Sequence, residues 1–204
     1  MEALLIPSGN NIAPILAARV AGTDTRFLVE MNVEARALTM DHTTYTDPSG
    51  FDPSTVSTAA DQLRVFQEAM HFPVFRQIVS MATVTLPVAG TVTNYNPLTA
   101  DDYAGKTGSD SAAEGCLAFF TQLAVGGRRQ TAVGVVLGQG EGSDTSLLLA
   151  AAGEAAKQLI DSVAPTSRLP TIAAPLAAGG RRRDASGGDR RPRLSATSRR
   201  SAEH

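Results

Sequence analysis

Three observations predict an α+β fold with an antiparallel sheet. Apolar residues recur at helical spacing through most of the first eighty positions. Runs rich in β-branched residues, broken by short glycine turns, fill positions 83–137. An alanine- and leucine-rich helical pattern returns after position 143. Helices followed by consecutive strands argue against alternating β-α-β units, and no internal repeat is visible.

Each element has its own signal. Ile12, Ile15, Leu16 and Val20 share one helical face, and Gly22 suits the stop. Asp24 is placed to cap a second helix with the stripe Phe27, Leu28, Met31, Ala35 and Leu38. Residues 40–56 hold Asp47-Pro48-Ser49-Gly50 and Asp52-Pro53-Ser54, which predict an ordered loop of turns. Thr58 and Asp61 resemble a capping box, opening a helix that buries Leu63, Phe66 and Met70. Pro73 suits the first turn of a short helix through Val79. Thr83–Val88 and Thr91–Thr93 form a small hairpin around Ala89-Gly90. Cys116–Val125 and Thr131–Leu137 form a larger one, with Gly126-Gly127-Arg128-Arg129 as its connection. Ser143 or Asp144 opens a last helix whose face is Leu147, Leu148, Ala151, Ala155, Leu159 and Val163. Cys116 reads as a buried free thiol, and Asp101-Asp102 as a solvated loop.

Composition bounds the function. The 204 residues carry a net charge of −2, which is not the balance of a nucleic-acid binder. One cysteine excludes a disulfide framework and a cysteine-rich metal site, His42 and His71 have no ligand-spaced partners, and no cofactor motif is present. No apolar run approaches the roughly 20 residues of a membrane helix. The first residues show neither a basic n-region nor an apolar core of signal-peptide length, so the chain as written predicts a cytoplasmic product. Positions 1–163 form the expected domain, 164–178 a Pro-spaced linker, and 179–204 a tail with eight Arg, three acids and one large apolar residue, expected to be disordered.

Two short motifs stand out. Ser8-Gly9-Asn10 precedes a helical pattern, and Lys106-Thr107-Gly108 precedes a strand pair. Around them run Leu4-Leu5-Ile6-Pro7 before Ser8; Met31-Asn32 through Ala35, Leu38 and Met40; Asp47-Pro48-Ser49-Gly50-Phe51-Asp52; and Thr93-Asn94-Tyr95-Asn96-Pro97-Leu98. Over about Leu4 to Val163 this text resembles the D-alanyl-D-alanine carboxypeptidases, the low-molecular-mass penicillin-binding proteins. Thr39 stands where that family usually has Gly. After Gly108, Ser109-Asp110-Ser111 replace the usual aromatic or His and Thr, and Glu114 interrupts an Ala-Ala-Gly run.

The resemblance implies a β-lactamase/transpeptidase-like sandwich, an antiparallel sheet between helical layers, in which the Thr131–Leu137 strand is central when the first two strands are present and an exposed edge without them. It implies cell-envelope work: removal of the terminal D-Ala from peptidoglycan stem peptides through an acyl-enzyme. Lys106 would hold the substrate's free carboxylate, helped by Thr107, with Gly105 and Gly108 leaving room for substrate. Ser109 would lend a backbone oxyanion donor, Ser8 would relay a proton to the leaving amine, and Asn10 would orient the catalytic lysine and the substrate amide. The family's nucleophile motif is Ser-x-x-Lys. The only two lysines, Lys106 and Lys157, have Tyr103 and Glu154 three residues before them, so these 204 residues contain no such motif. The expectation is an N-terminally truncated member without its first strands and central helix, reacting with β-lactams only if that segment is restored. The alternative is a non-catalytic remnant or cell-wall peptide-binding module.

Overall fold

The computed structural model describes residues 1–163; the expected linker and tail at 164–204 lie outside the described residues. Helices come first: α1 (Glu2–Leu5), α2 (Ile12–Ala21), α3 (Asp24–Ala37), α4 (Ala59–Ala69) and α5 (Pro73–Val79). A hairpin follows, β1 (Thr83–Leu86) with β2 (Gly90–Thr93), then a 3-10 turn at Thr99–Asp101. Three longer strands, β3 (Ala104–Asp110), β4 (Glu114–Val125) and β5 (Arg128–Gln139), form an antiparallel sheet in that order, and α6 (Thr145–Val163) closes the run. The architecture is α+β, as the order of elements predicts.

The sheet lies between helices. On one face Leu117, Phe119 and Leu123 of β4 pack with Leu98, Tyr103 and with Ala152, Ala156 and Ile160 of α6. The other core gathers Leu5, Ile6, Ile78, Val79 and Ala104, with Phe75 and Phe120 against them. Alternation along β4 serves both faces. Gly126 and Gly127, at φ 57° and 74°, make the whole β4–β5 turn, so Arg128 and Arg129 belong to β5 rather than to the connection. Among the described residues β5 pairs only with β4, so it is a sheet edge, as expected of a family member without the first two strands.

Two helix faces differ from expectation. In α2 the buried stripe is Ala13, Ala17 and Ala21, while Ile15 and Val20 face outward, 61% and 68% exposed. In α6 the buried residues are Leu148, Leu149, Ala152, Gly153, Ala156 and Ile160; Leu147 and Val163 are exposed. Both helices are apolar on more than one side, so periodicity does not select the face. Small residues decide it by close approach: a Cβ at Gly153 would lie 2.8 Å from Pro97. The α3 stripe is half-buried, with Ala35 buried.

Caps also moved. Thr23, not Asp24, caps α3, its Oγ1 accepting from the Arg26 amide at 3.2 Å. Thr58 caps α4 by accepting from the Asp61 amide, but the return half of a capping box is missing. The buried Asp61 carboxylate instead accepts from the His42 amide and the Thr43 hydroxyl, both at 2.9 Å, and from Arg64 at 2.7 Å, tying the 40–56 loop to α4.

The end of α3 carries a stability prediction. Met40 N–H reaches back to Ala35 O and Thr39 N–H to Arg36 O, a Schellman closure that puts Thr39 at φ 56°. A β-branched residue is strained there, by about 1–2 kcal/mol. Thr39→Gly is therefore expected to raise stability by about 1 kcal/mol, since glycine's own unfolded-state entropy offsets part of the relief. Denaturant melts of the two proteins check it; an unchanged or lowered midpoint counts against the strain.

Candidate active site

The Ser8-Gly9-Asn10 bend is built by packing on both sides. Ile6, fully buried beside Val79 and Ala104, seats the segment next to β3. Ala3 O accepts from the Gly9 amide at 3.1 Å, and a Cβ on Gly9 would stand 2.6 Å from that oxygen, so glycine is required there. Ser8 adopts φ 53°, and α2 starts two residues after the bend, at Ile12. Lys106 lies mid-way along β3, opposite Ala118. Its Nζ donates to Ser8 Oγ at 2.6 Å and also contacts the Thr107 carbonyl. Residues 98 positions apart thus meet in a polar cleft of about 390 Å³.

All six residues singled out from the sequence line this cleft: Ser8, Asn10, Lys106, Thr107, Gly108 and Ser109. Gly108 leaves open space, since an added Cβ would meet only Cys116 at an ordinary 3.7 Å. Gly105 has a different reason from the expected one: its Cβ would lie 2.1 Å from Ala118 O, so close strand packing, not substrate, demands glycine.

Several lining residues escaped sequence reasoning. Ser49, Gly50 and Phe51 form one wall. They are held by Asp47, whose carboxylate accepts from the amides of Ser49, Gly50 and Asp52 at 2.9, 3.1 and 3.2 Å. Against the upward push of partial burial, these bonds keep Asp47 below the usual carboxylate pKa. Tyr95 forms another wall, between the buried Asn94 and Asn96. Asn94 donates to Met81 O at 2.9 Å, and Asn96 to Tyr103 O at 2.7 Å. The polar turn and the Asn-x-Asn pattern were the available signals; neither reveals which side chain faces the cleft.

Electrostatics single out one group. Burial lowers the Lys106 pKa from 10.5 to about 8, and no carboxylate is paired with it among the described residues. Asp110, close in sequence, turns its carboxylate to the amides of Ala112 and Ala113 at 2.7 and 2.6 Å. Cys116 is half-buried on the cleft wall rather than fully buried; burial and the Asp110 and Glu114 charges raise its pKa, which keeps the thiol protonated. Lys157 is not simply solvated: it pairs with Asp101 at 2.7 Å.

The Lys106 shift predicts a pH effect with a definite sign. Between pH 8 and 10.5 the unfolded chain holds a proton that the folded chain has released, so stability rises with pH across that window. The slope is at most about 1.4 kcal/mol per pH unit. Chemical denaturation at pH 7.5, 8.5 and 9.5 measures it. Lys106→Met should flatten the trend, and a trend unaltered by that substitution would assign it elsewhere.

The profile of the D-alanyl-D-alanine carboxypeptidase family matches residues 1–140. The chain belongs to this family. Its sequence is 35% identical over 138 residues to the D-alanyl-D-alanine carboxypeptidase DacB2 of Mycobacterium tuberculosis, an alignment covering 63% of this chain and 46% of that protein. The chain therefore spans less than half the length of that relative. Its structure superposes on a D-alanyl-D-alanine carboxypeptidase crystal structure from Mycobacterium tuberculosis with a TM-score of 0.61 and 30% identity, covering 82% of this chain and 65% of the other. Penicillin-binding protein D2 of Listeria monocytogenes, solved with cefotaxime bound, gives 0.62 at 26% identity, covering 78% and 63%. The carboxypeptidase family fold is thus the fold of this chain. No helix among the described residues is long and apolar enough to cross a membrane.

Proposed function

We propose that these residues form the substrate-anchoring and proton-relay part of a serine-type D-Ala-D-Ala carboxypeptidase of the cell envelope, acting on peptidoglycan stem peptides. The observation that carries this reading is the Ser8 Oγ–Lys106 Nζ contact at 2.6 Å in an open polar cleft. A free carboxylate beside a scissile carbonyl needs a compact cation, and Lys106 is a desolvated ammonium with no carboxylate of its own. Thr107 and Gly108 stand beside it for the carboxylate's second contact and for close approach. Ser8, already bonded to that ammonium, is placed to pass a proton to the leaving amine. Asn10 and Ser109 line the same cleft, for the substrate amide and the carbonyl oxygen. In this reading the nucleophile comes from a Ser-x-x-Lys segment, which these 204 residues do not hold.

One observation favours a second reading, a stem-peptide-binding module without catalysis: the cleft is formed although that motif is absent from these residues. A protein carrying a Ser-x-x-Lys segment ahead of residue 1 separates the two. If it hydrolyses a D-Ala-D-Ala peptide, Lys106→Ala should lower kcat/KM by roughly 10- to 150-fold, the worth of one charge-assisted contact of about 1.5–3 kcal/mol. Lys157→Ala should change it by less than twofold. Equal losses in the two variants would remove Lys106 from the site, and no turnover with retained peptide binding would favour the binding module.

A further inference from the structure

We propose that Asp110 is a specificity-determining residue of this site: it favours D-Ala-D-Ala peptides whose third residue from the end carries a free side-chain ammonium over the same peptides with that amine acylated. The inference rests on the substrate reading of the cleft given above and concerns the end of the cleft away from Lys106. Two charged residues line the cleft, Lys106 and Asp110. Lys106, Gly108 and Asp110 follow one another on one face of β3, opposite Ala118, Cys116 and Glu114. Gly108 puts no side chain between the two charges, and a Cβ there would meet only Cys116. The floor thus runs from a cation to an anion over open space. Four residue steps of strand separate them, about 13 Å.

Asp110 is the acid available to a ligand. Its Oδ1 accepts from both turn amides, Ala112 and Ala113, while no hydrogen bond among the described residues engages Oδ2. No lysine or arginine pairs with it among the described residues. Glu114, across from it, does not line the cleft; its Oε2 stands 3.8 Å from where a Cβ on Gly138 would lie. Asp144 lines an adjoining pocket, and its Oδ1 accepts from the Ser146 and Leu147 amides. Asp110 is also one of the positions at which this chain departs from the family text, so the charge is its own. With the terminal carboxylate on Lys106 and the scissile carbonyl at Ser109, the upstream residues run on toward Asp110. Two residue steps of extended peptide and a lysine-type side chain together reach about 13 Å at full stretch, which matches the span of the floor. Acylation removes the charge that Asp110 attracts and adds bulk beside it.

The test is calorimetric titration of the 204-residue protein with Nα-acetyl-L-Lys-D-Ala-D-Ala and with its Nα,Nε-diacetyl counterpart. The free-amine peptide is expected to bind about three- to fivefold more tightly at about 0.02 M salt, the worth of one partly screened ion pair. The ratio should fall toward one at about 0.5 M salt. Asp110→Asn keeps an oxygen for the two turn amides and should bring the ratio to about one at low salt, with the diacetyl peptide unaffected. Asp144→Asn removes the same charge elsewhere and should leave the ratio in place. Equal affinity for the two peptides, a ratio insensitive to salt or to Asp110→Asn, or one moved as much by Asp144→Asn overturns the inference. If Lys106→Met then still abolishes binding of both peptides, the substrate reading stands without it. Failure of either peptide to bind the chain overturns the inference and the substrate reading together.

Discussion

A fluorescent penicillin incubated with the 204-residue chain is expected to leave no heat-resistant label on a denaturing gel. Stable labelling requires a serine deprotonated as it attacks, and the family's device for this is Ser-x-x-Lys. Neither lysine here is preceded by serine at that spacing. Among the described residues Ser8 is the one serine held against an amine, at 2.6 Å, and its geometry works against attack. With a pKa of about 8, Lys106 is mostly an ammonium at pH 7; it donates to Ser8 Oγ and is not a base. The expected difference is all or none: no label on this chain, and about one label per molecule once a Ser-x-x-Lys segment is joined ahead of residue 1. A stoichiometric label on the unmodified chain would show that one of its own serines reacts.

The second large effect is on assembly. A polypeptide of these 204 residues is expected to elute in size-exclusion chromatography with light scattering well above its 21.2 kDa monomer mass. Strand β5 is twelve residues long and pairs on one side only among the described residues. From Gln130 to Gln139 it carries no charge and no proline. Such an edge presents unpaired amides and carbonyls to a neighbouring molecule, and Thr131-Ala132-Val133-Gly134-Val135-Val136-Leu137 is β-prone. Exposed Ile15, Val20 and Leu147 add apolar surface, each worth about 1.5–3 kcal/mol when covered. Against a domain stability of roughly 5–15 kcal/mol, a few such contacts favour association. Thr131→Lys places a charge on the exposed part of the edge and should shift the population toward monomer. A monodisperse 21 kDa species with a sharp two-state melt would mean that the edge is guarded in a way the strand pattern does not show.

Much of this was legible in the sequence because it depends on local chemistry. Turn residues at Asp47-Pro48-Ser49-Gly50, Pro73 at a helix start and Gly126-Gly127 between strands each admit few backbone paths, and the structure follows them. The faces of α2 and α6 were not legible, because alanines on one side and leucines or isoleucines on another give two apolar stripes. Which one is buried depends on how near the partner comes, a property of the assembled fold. The cleft was half legible. Ser8, Asn10 and Lys106 belong to recognisable strings, whereas Phe51 and Tyr95 reach the cleft through Asp47 and the Asn94–Asn96 pair, whose bonds exist only in three dimensions. Gly105 illustrates the remaining ambiguity: the residue type was informative, and only the 2.1 Å approach to Ala118 O says which neighbour requires it.

The Ser8–Lys106 contact also has a kinetic meaning. It closes a loop of 98 residues, and such a contact forms only after the sheet that bears Lys106 exists. What holds the N-terminal side is slight: a four-residue helix, the Leu5 and Ile6 side chains packed with Ile78, Val79 and Ala104, and the Ser8 bond to Lys106. β4, by contrast, is bonded along both of its edges. The segment from Met1 to Asn10 is therefore the part of the fold that detaches first, exchanging its amide hydrogens by local opening while β4 stays protected. Each such opening takes Ser8 away from Lys106 with the sheet still intact, so the lifetime of the assembled pair follows how long Leu5 and Ile6 stay in their core.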